Sequence, residues 1–417
     1  MARRLSILLA MLLLLVSVVP ALAQETSNSA VTIYLPLIGG VGSADDAEGS
    51  GAVADLTDAL DSEVEAAAAG GVGSAFVMTN ANDPIRGNEV VMYRRSADGT
   101  LTLVSRCPTG GQGLGAGLGS QGAVTLSDNG RWLFVVNAGS NELSVFNVRA
   151  NALILTDKVA SGGIQPTSVT VRKGLVYVLN AGDTGNIAGF VLRNDGKLSP
   201  LGNSIRPLSN QGTGAAPAPA QISFSPDGKQ LVVTERASNL ILTYDVKANG
   251  RTTGPMTNPS AGVTPFGFAF ARNATLVVSE AFGGAVDGSA ASSYRVQGNG
   301  TLNLVSPSVP TGQTAACWIV VTKDGKYAYT TNAGSASLSL YRVEANGSLT
   351  LLNSRAGETG VGTGPTDAGA SRNGQLVYAL SPRSQTIIGF RVQADGSLLS
   401  VGSFGGLPTN SAGIAVW

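Results

Sequence analysis

The sequence predicts an all-β protein, a seven-bladed β-propeller of four-stranded blades, closed by the C-terminal strand pairing with the first blade. Three observations predict it. One strand–turn–strand pattern recurs seven times from Gly73 to Trp417, and ten of its hairpins carry an Asn-Gly or Asp-Gly pair. The first copy lacks an inner strand, and the last copy is followed by one too many.

The recurrence is clearest in Gly122–Gly163, where "AVTLSDNGRWLFVVNAGSNELSVFNV" holds three strands. Asn80, Asn137, Asn180, Glu235, Glu280, Asn332 and Ser381 occupy equivalent positions at the end of the second strand of each copy. They stand 43 to 57 residues apart, close to the ~40–50 residues of a propeller blade. A β-sandwich would not repeat at that length. Strand residues alternate in character, as in Leu143-Ser-Val-Phe146 and Leu338-Ser-Leu-Tyr341, which suits pleated strands.

The turn pairs begin at Asp98, Asn129, Asp195, Asp227, Asn249, Asn299, Asp324, Asn346, Asn373 and Asp395. Such pairs tolerate the positive φ that two-residue hairpins demand. The first copy opens directly on a second strand near Phe76–Thr79, and Ser411–Trp417 supplies the strand left over. Pairing the two closes the ring and leaves no exposed sheet edge.

Ahead of the repeats, Arg3 and Arg4 precede a leucine-rich run from Leu5 to Val19, and Ala21 and Ala23 sit at −3 and −1 of a cleavage point. This predicts a signal peptide over 1–23, a low-complexity N-terminal linker over 24–72 and the propeller over 73–417. The expected location is secreted or periplasmic. No later segment reaches the ~18 apolar residues of a membrane helix, so no transmembrane span should remain after cleavage. A monomer is expected.

Composition narrows the function. The chain has no histidine, which excludes Ser-His-Asp and Cys-His catalysis and the common histidine-containing zinc sites. Basic and acidic residues balance at 27 each, so nothing draws nucleic acid, which wants a basic stripe. No metal or other cofactor is expected. Cys107 and Cys317 fall on an outer and an inner strand of different blades, too far apart for the ~7 Å Cα limit of a disulfide. Two free, buried thiols are expected.

In a propeller, the loops joining second to third strands and blade to blade open on one face. That face gathers the second-strand ends. Glu235 and Glu280 replace Asn on adjacent blades, and inward carboxyls beside Phe282 or Trp318 could serve as acid and base. Alternatively, each accepts hydrogen bonds from loop amides or pairs with Arg236. Phe266, Phe282 and Trp318 offer an apolar ligand wall or core packing. Asn137, Asn180, Asn332 and Gln313 offer polar contacts to a ligand, or satisfy their own loops. Arg86 and Arg383 lie in corresponding loops of the first and last blades. "GGQGLGAGLGSQG" (Gly110–Gly122) is read as a flexible connection, because no βαβ unit surrounds it.

Three stretches carry a family resemblance: "VTPFGFAF" (Val263–Phe270), "VVSEAFGG" (Val277–Gly284) and "GQTAACWIVVTKDGKYAYTTNAGS" (Gly312–Ser335). Gly73–Trp417 resembles the lactonase-type seven-bladed propellers, and these three stretches resemble an exported bacterial subgroup of them. That family includes bacterial 6-phosphogluconolactonase and the fungal carboxymuconate-cyclising enzyme. The resemblance implies a lactone or sugar ligand at the channel mouth, handled by histidine, arginine and glutamate. This chain supplies glutamate and arginine candidates there, Glu235, Glu280 and Arg236, but no histidine. The expected function is an exported hydrolase or cyclase of lactone rings. The alternative is a non-catalytic secreted propeller that binds a small ligand, glycan or protein on the same face.

Overall fold

The computed structural model describes residues 72–417. The signal peptide expected over 1–23, and the linker over 24–72 apart from its last residue, lie outside the described residues.

Seven antiparallel sheets form the blades. Their innermost strands are, from blade 1 to blade 7, Ala412–Val416, Val124–Leu126, Pro166–Arg172, Pro219–Phe224, Pro265–Phe270, Ala316–Val321 and Ala368–Ala370. The closure expected from the sequence is present. Strand Ala412–Val416 pairs with Gly73–Met78 on the inner edge of blade 1, with Val77 opposite Ile414. Arg95, almost fully buried, secures the seam by donating from Nε and Nη2 to the Trp417 carbonyl. Blade 3 departs from the pattern, because its outer strand is split into Leu198–Pro200 and Arg206–Pro207.

Second strands end at Asn137, Asn180, Glu235, Glu280, Asn332 and Ser381, and Asn80 follows the second strand of blade 1 by two residues. Six clusters of buried aliphatic and aromatic side chains fill the spaces within and between blades, and a seventh sits at the mouth. Among the described residues, no helix is long and apolar enough to cross a membrane.

The ten Asn-Gly and Asp-Gly pairs named above all occupy hairpin turns, but by a different device from the one expected. Only the glycine takes positive φ. In each turn the glycine amide bonds to the carbonyl three residues back, as in Gly130 to Ser127 at 2.8 Å. The Asn or Asp oxygen accepts the amide two residues on, as in Arg131 to Asn129 and Lys229 to Asp227. This is a type I turn followed by a left-handed glycine. Six outer-hairpin glycines then dock on the preceding blade. Their carbonyls accept from Tyr378 (to Gly99), Thr156 (to Gly196), Tyr177 (to Gly250), Thr243 (to Gly300), Ser293 (to Gly347) and Tyr329 (to Gly396). The same turn residue therefore closes a hairpin and fixes the angle between blades.

Cys107 and Cys317 are both free. Cys317 is buried, and burial pushes its thiol up to about 12. Cys107 is only partly buried, because the outer strand that carries it faces solvent on one side.

Candidate functional site

The loop face is built on a repeated strained turn. Gln165, Ala218, Thr264 and Ala315 precede the inner strands of blades 3 to 6, and all four have φ between 54° and 58°. Left-handed backbone is unfavourable for side-chain-bearing residues, most of all for β-branched Thr264. The carbonyls of these residues accept the amides of Ala181, Arg236, Ala281 and Ala333. Asn141 and Asn239 further pin the amides of Gln165 and Thr264 at 2.7 Å.

The second-strand residues brace these loops from inside. Glu235 and Glu280 are fully buried. Glu235 accepts the Ser209 amide at 3.0 Å and the hydroxyls of Ser209 and Ser238 at 2.5 Å each. Glu280 accepts the Gly262 amide at 2.8 Å, Ser292 Oγ at 2.5 Å and Ser308 Oγ at 2.7 Å. Burial raises the Glu280 pKa, and those three donors oppose the rise. Neither carboxyl pairs with Arg236, and neither is open to the channel. The arrangement is the loop-bracing one.

Asn137, Asn180 and Asn332 are likewise fully buried. Asn137 accepts from Asn88 and Thr109 and donates to Ser144. Asn180 donates to Asn186 and to the Ser161 carbonyl, and Asn332 donates to Ser337 and Ser339. Gln313 accepts from Arg355 at 2.8 Å. Phe282, partly buried and with φ of 48°, sits in a short 3₁₀ turn. These residues hold loops and do not converge on one another.

Arg236, Phe266 and Trp318 do converge. The Arg236 guanidinium lies 4.9 Å from the Phe266 ring centre, and the Phe266 and Trp318 rings are 4.8 Å apart. Arg236 Nε donates to the Ala218 carbonyl, and burial lowers its pKa from the usual arginine value. The stack forms an apolar wedge at the mouth with Ala220 and Cys317.

The segment Gly110–Gly122, expected to be a flexible connection, is pinned across this mouth. Asn80 holds the Ala116 carbonyl and the Leu114 amide. Ser120 Oγ donates to Thr167 of blade 3, and its carbonyl accepts Trp318 Nε1 of blade 6. The Gln121 amide bonds to Ala220 of blade 4, and its side chain reaches Ile319 of blade 6. Gly267 makes room for this contact, since a Cβ there would lie 2.2 Å from Gln121 Oε1.

Between this crossing segment and blades 1, 6 and 7 lies a cavity of about 520 Å³. Trp318, Asp367, Arg383 and the Gly117–Ser120 backbone line it, together with Asn410 and Ser411. Arg383 therefore reaches the cavity, whereas Arg86 lies on an exposed turn held by Asp83. Asp367 was missed by the sequence reading. A signal for it exists: aligning the inner strands places Asp367 opposite Ser168, Gln221, Gly267 and Trp318, and it alone in that row is ionisable.

The fold and this mouth define a class: seven-bladed propellers with a cavity of polar and aromatic residues over the channel on the loop face. The family model "Lactonase, 7-bladed beta-propeller" matches residues 86–209, 194–317 and 290–409. The chain belongs to that lactonase family. No curated protein matches its sequence. Among solved structures it is similar to the periplasmic gluconolactonase of Pseudomonas aeruginosa, at 18% identity over 82% of this chain and 98% of that one, with a TM-score of 0.64. A candidate 6-phosphogluconolactonase of Bacteroides fragilis is similar at 17% identity over 82% and 97%, with a TM-score of 0.62. A Lactobacillus plantarum protein is similar at 18% identity over 82% and 98%, with a TM-score of 0.65. At these identities the likeness speaks for the fold.

Proposed function

We propose that the protein is an exported lactone-ring hydrolase, or in reverse a cyclase, that works in the mouth cavity of its propeller. The observation that carries the reading is the cavity itself: a lactonase-family chain with about 520 Å³ at the loop face, lined by Trp318 and Arg383. That volume lies in the range of small-molecule sites, which combine an apolar wall with a few polar groups. Opening a lactone creates a carboxylate, and the Arg383 guanidinium suits that charge. Sugar lactones are the first class to try, because one similar structure is a gluconolactonase. Export is supported by the Arg3-Arg4 and leucine-rich leader. Glu235, Glu280, Asn137, Asn180 and Asn332 act in this reading as braces for the loops of the same face. Arg236 and Phe266 back Trp318.

Glucono-δ-lactone and dihydrocoumarin are the substrates to assay, with acid release followed by pH-stat. Gly117 lines the cavity, and a Cβ added there meets nothing within 4 Å. Gly117→Leu should therefore fill the cavity without disturbing the fold. At least a tenfold loss of kcat/KM at unchanged melting temperature is expected. A wild-type protein that binds gluconate but opens no lactone would replace the hydrolase with the binding-only reading.

A further inference from the structure

Asp367 immediately precedes the inner strand of blade 7 and is 2% exposed. Its Oδ1 accepts the Ala368 amide at 2.8 Å. Its Oδ2 is buried and accepts no hydrogen bond of normal geometry, although the amides of Gly122 and Ile414 lie near the carboxyl. Leaving a buried carboxyl oxygen unsatisfied is costly. The polar residues in the same row of other blades are all engaged with backbone. Ser168 donates to the Gln121 carbonyl, Gln221 to Phe268 and Trp318 to Ser120. Within that row Asp367 keeps a side-chain oxygen without a normal hydrogen bond, and the residue belongs to the wall of the mouth cavity. Glu235 and Glu280 differ in both respects, since all their carboxyl oxygens are satisfied and they lie outside the cavity lining.

We propose that Asp367 is the proton-transferring carboxyl of the cavity, a role that rests on the lactone-hydrolase reading above. Its carboxylate takes a proton from a water whose oxygen forms a bond to the lactone carbonyl carbon, while the carbonyl π pair moves onto oxygen. The tetrahedral oxyanion then collapses. The bond between that carbon and the ring oxygen breaks, and Asp367 returns the proton to the departing oxygen. A hydroxy acid leaves, and the carboxylate is restored. Burial holds the Asp367 pKa at about 7, against the amides of Ala368, Gly122 and Ile414, which lower it. A value near neutrality suits a group that must both take and give a proton. The charged side chain sharing the cavity is Arg383, and Arg236 approaches the far side of Gly119. The Gly117–Gly122 segment and the inner strand of blade 1 carry no ionisable side chain, and the inner strand of blade 6 carries only the Cys317 thiol.

The test measures glucono-δ-lactone hydrolysis from pH 5 to 9 by the wild type, Asp367→Asn and Asp367→Ala, each checked for folding by circular dichroism. Asp367→Asn should lose about 10²–10⁴-fold in kcat with KM changed less than threefold, and the wild-type inflection near pH 7 should vanish. Sodium formate should restore part of the Asp367→Ala rate. Wild-type turnover with an unaltered rate and pH profile in Asp367→Asn would overturn the role of Asp367 and leave the hydrolase reading standing. A folded wild type that opens no lactone would remove both.

Discussion

Gln121 and Ile319, 198 residues apart in sequence, are joined across the channel: Nε2 donates to the Ile319 carbonyl at 2.8 Å, and Oε1 accepts the Ile319 amide at 3.2 Å. The pair works like an extra β-bridge made by a side chain. It turns a glycine-rich connection into a crossbar that separates the mouth cavity from a second space of about 470 Å³ deeper in the channel, lined by Gln221, Phe268 and Ala370 among others. The Trp318 indole is held by the residue next to it, Ser120.

Removing the crossbar should loosen the mouth before it unfolds the ring. Gln121→Ala leaves the Ile319 amide and carbonyl without their side-chain partner, at a cost of about 1–3 kcal/mol. Urea unfolding should show that loss. Amide exchange of residues 114–122 should quicken while the blade strands stay protected. Unchanged exchange in that segment would refute the crossbar.

Glu280 should matter to stability more than to turnover. Glu280→Ala strands the Gly262 amide and the hydroxyls of Ser292 and Ser308, which predicts a loss of about 2–4 kcal/mol. Glu280→Gln keeps the shape and should retain lactone turnover within about fivefold, the ordinary scatter of a change that touches no reacting atom. Rate measurements on both variants, alongside thermal melts, check this. A thousandfold loss in Glu280→Gln with a native melt would return Glu280 to the reaction.

Asp367 should tie stability to pH in a defined direction. Its folded pKa is raised from 3.8 to about 7. The stabilising contribution of its protonated form is therefore complete below pH 3.8 and is lost as pH rises through about 7. The loss amounts to roughly 4 kcal/mol at most. Asp367→Asn escapes it, so the variant should melt higher than the wild type at pH 8 and approach it near pH 4. Glu280, also raised, shifts both proteins alike. Parallel melting curves across that range would contradict a buried, neutral-range Asp367. The stability held back above neutrality is what a site loses by keeping a desolvated carboxyl.

Blade number, closure and ten of the hairpins were legible in the sequence because they depend on neighbours. An Asn or Asp followed by glycine closes a turn through its own next amides, and the spacing of Asn80 through Ser381 counts the blades. The sequence even marked the six residues that end second strands. What it did not show was the direction in which they point. Glu235 and Glu280 look like an acid–base pair when read along the chain, yet each turns into its own blade, where serine hydroxyls and loop amides make burial tolerable. The mouth cavity arises where Gly117–Ser120, Trp318 and Asp367 meet, and those come from the blade 1–2 connection, blade 6 and blade 7. Local chemistry determined the ring. Which carboxyl stayed unsatisfied was decided only when distant blades desolvated it, since desolvation depends on everything that surrounds a group and not on the residues beside it in the chain.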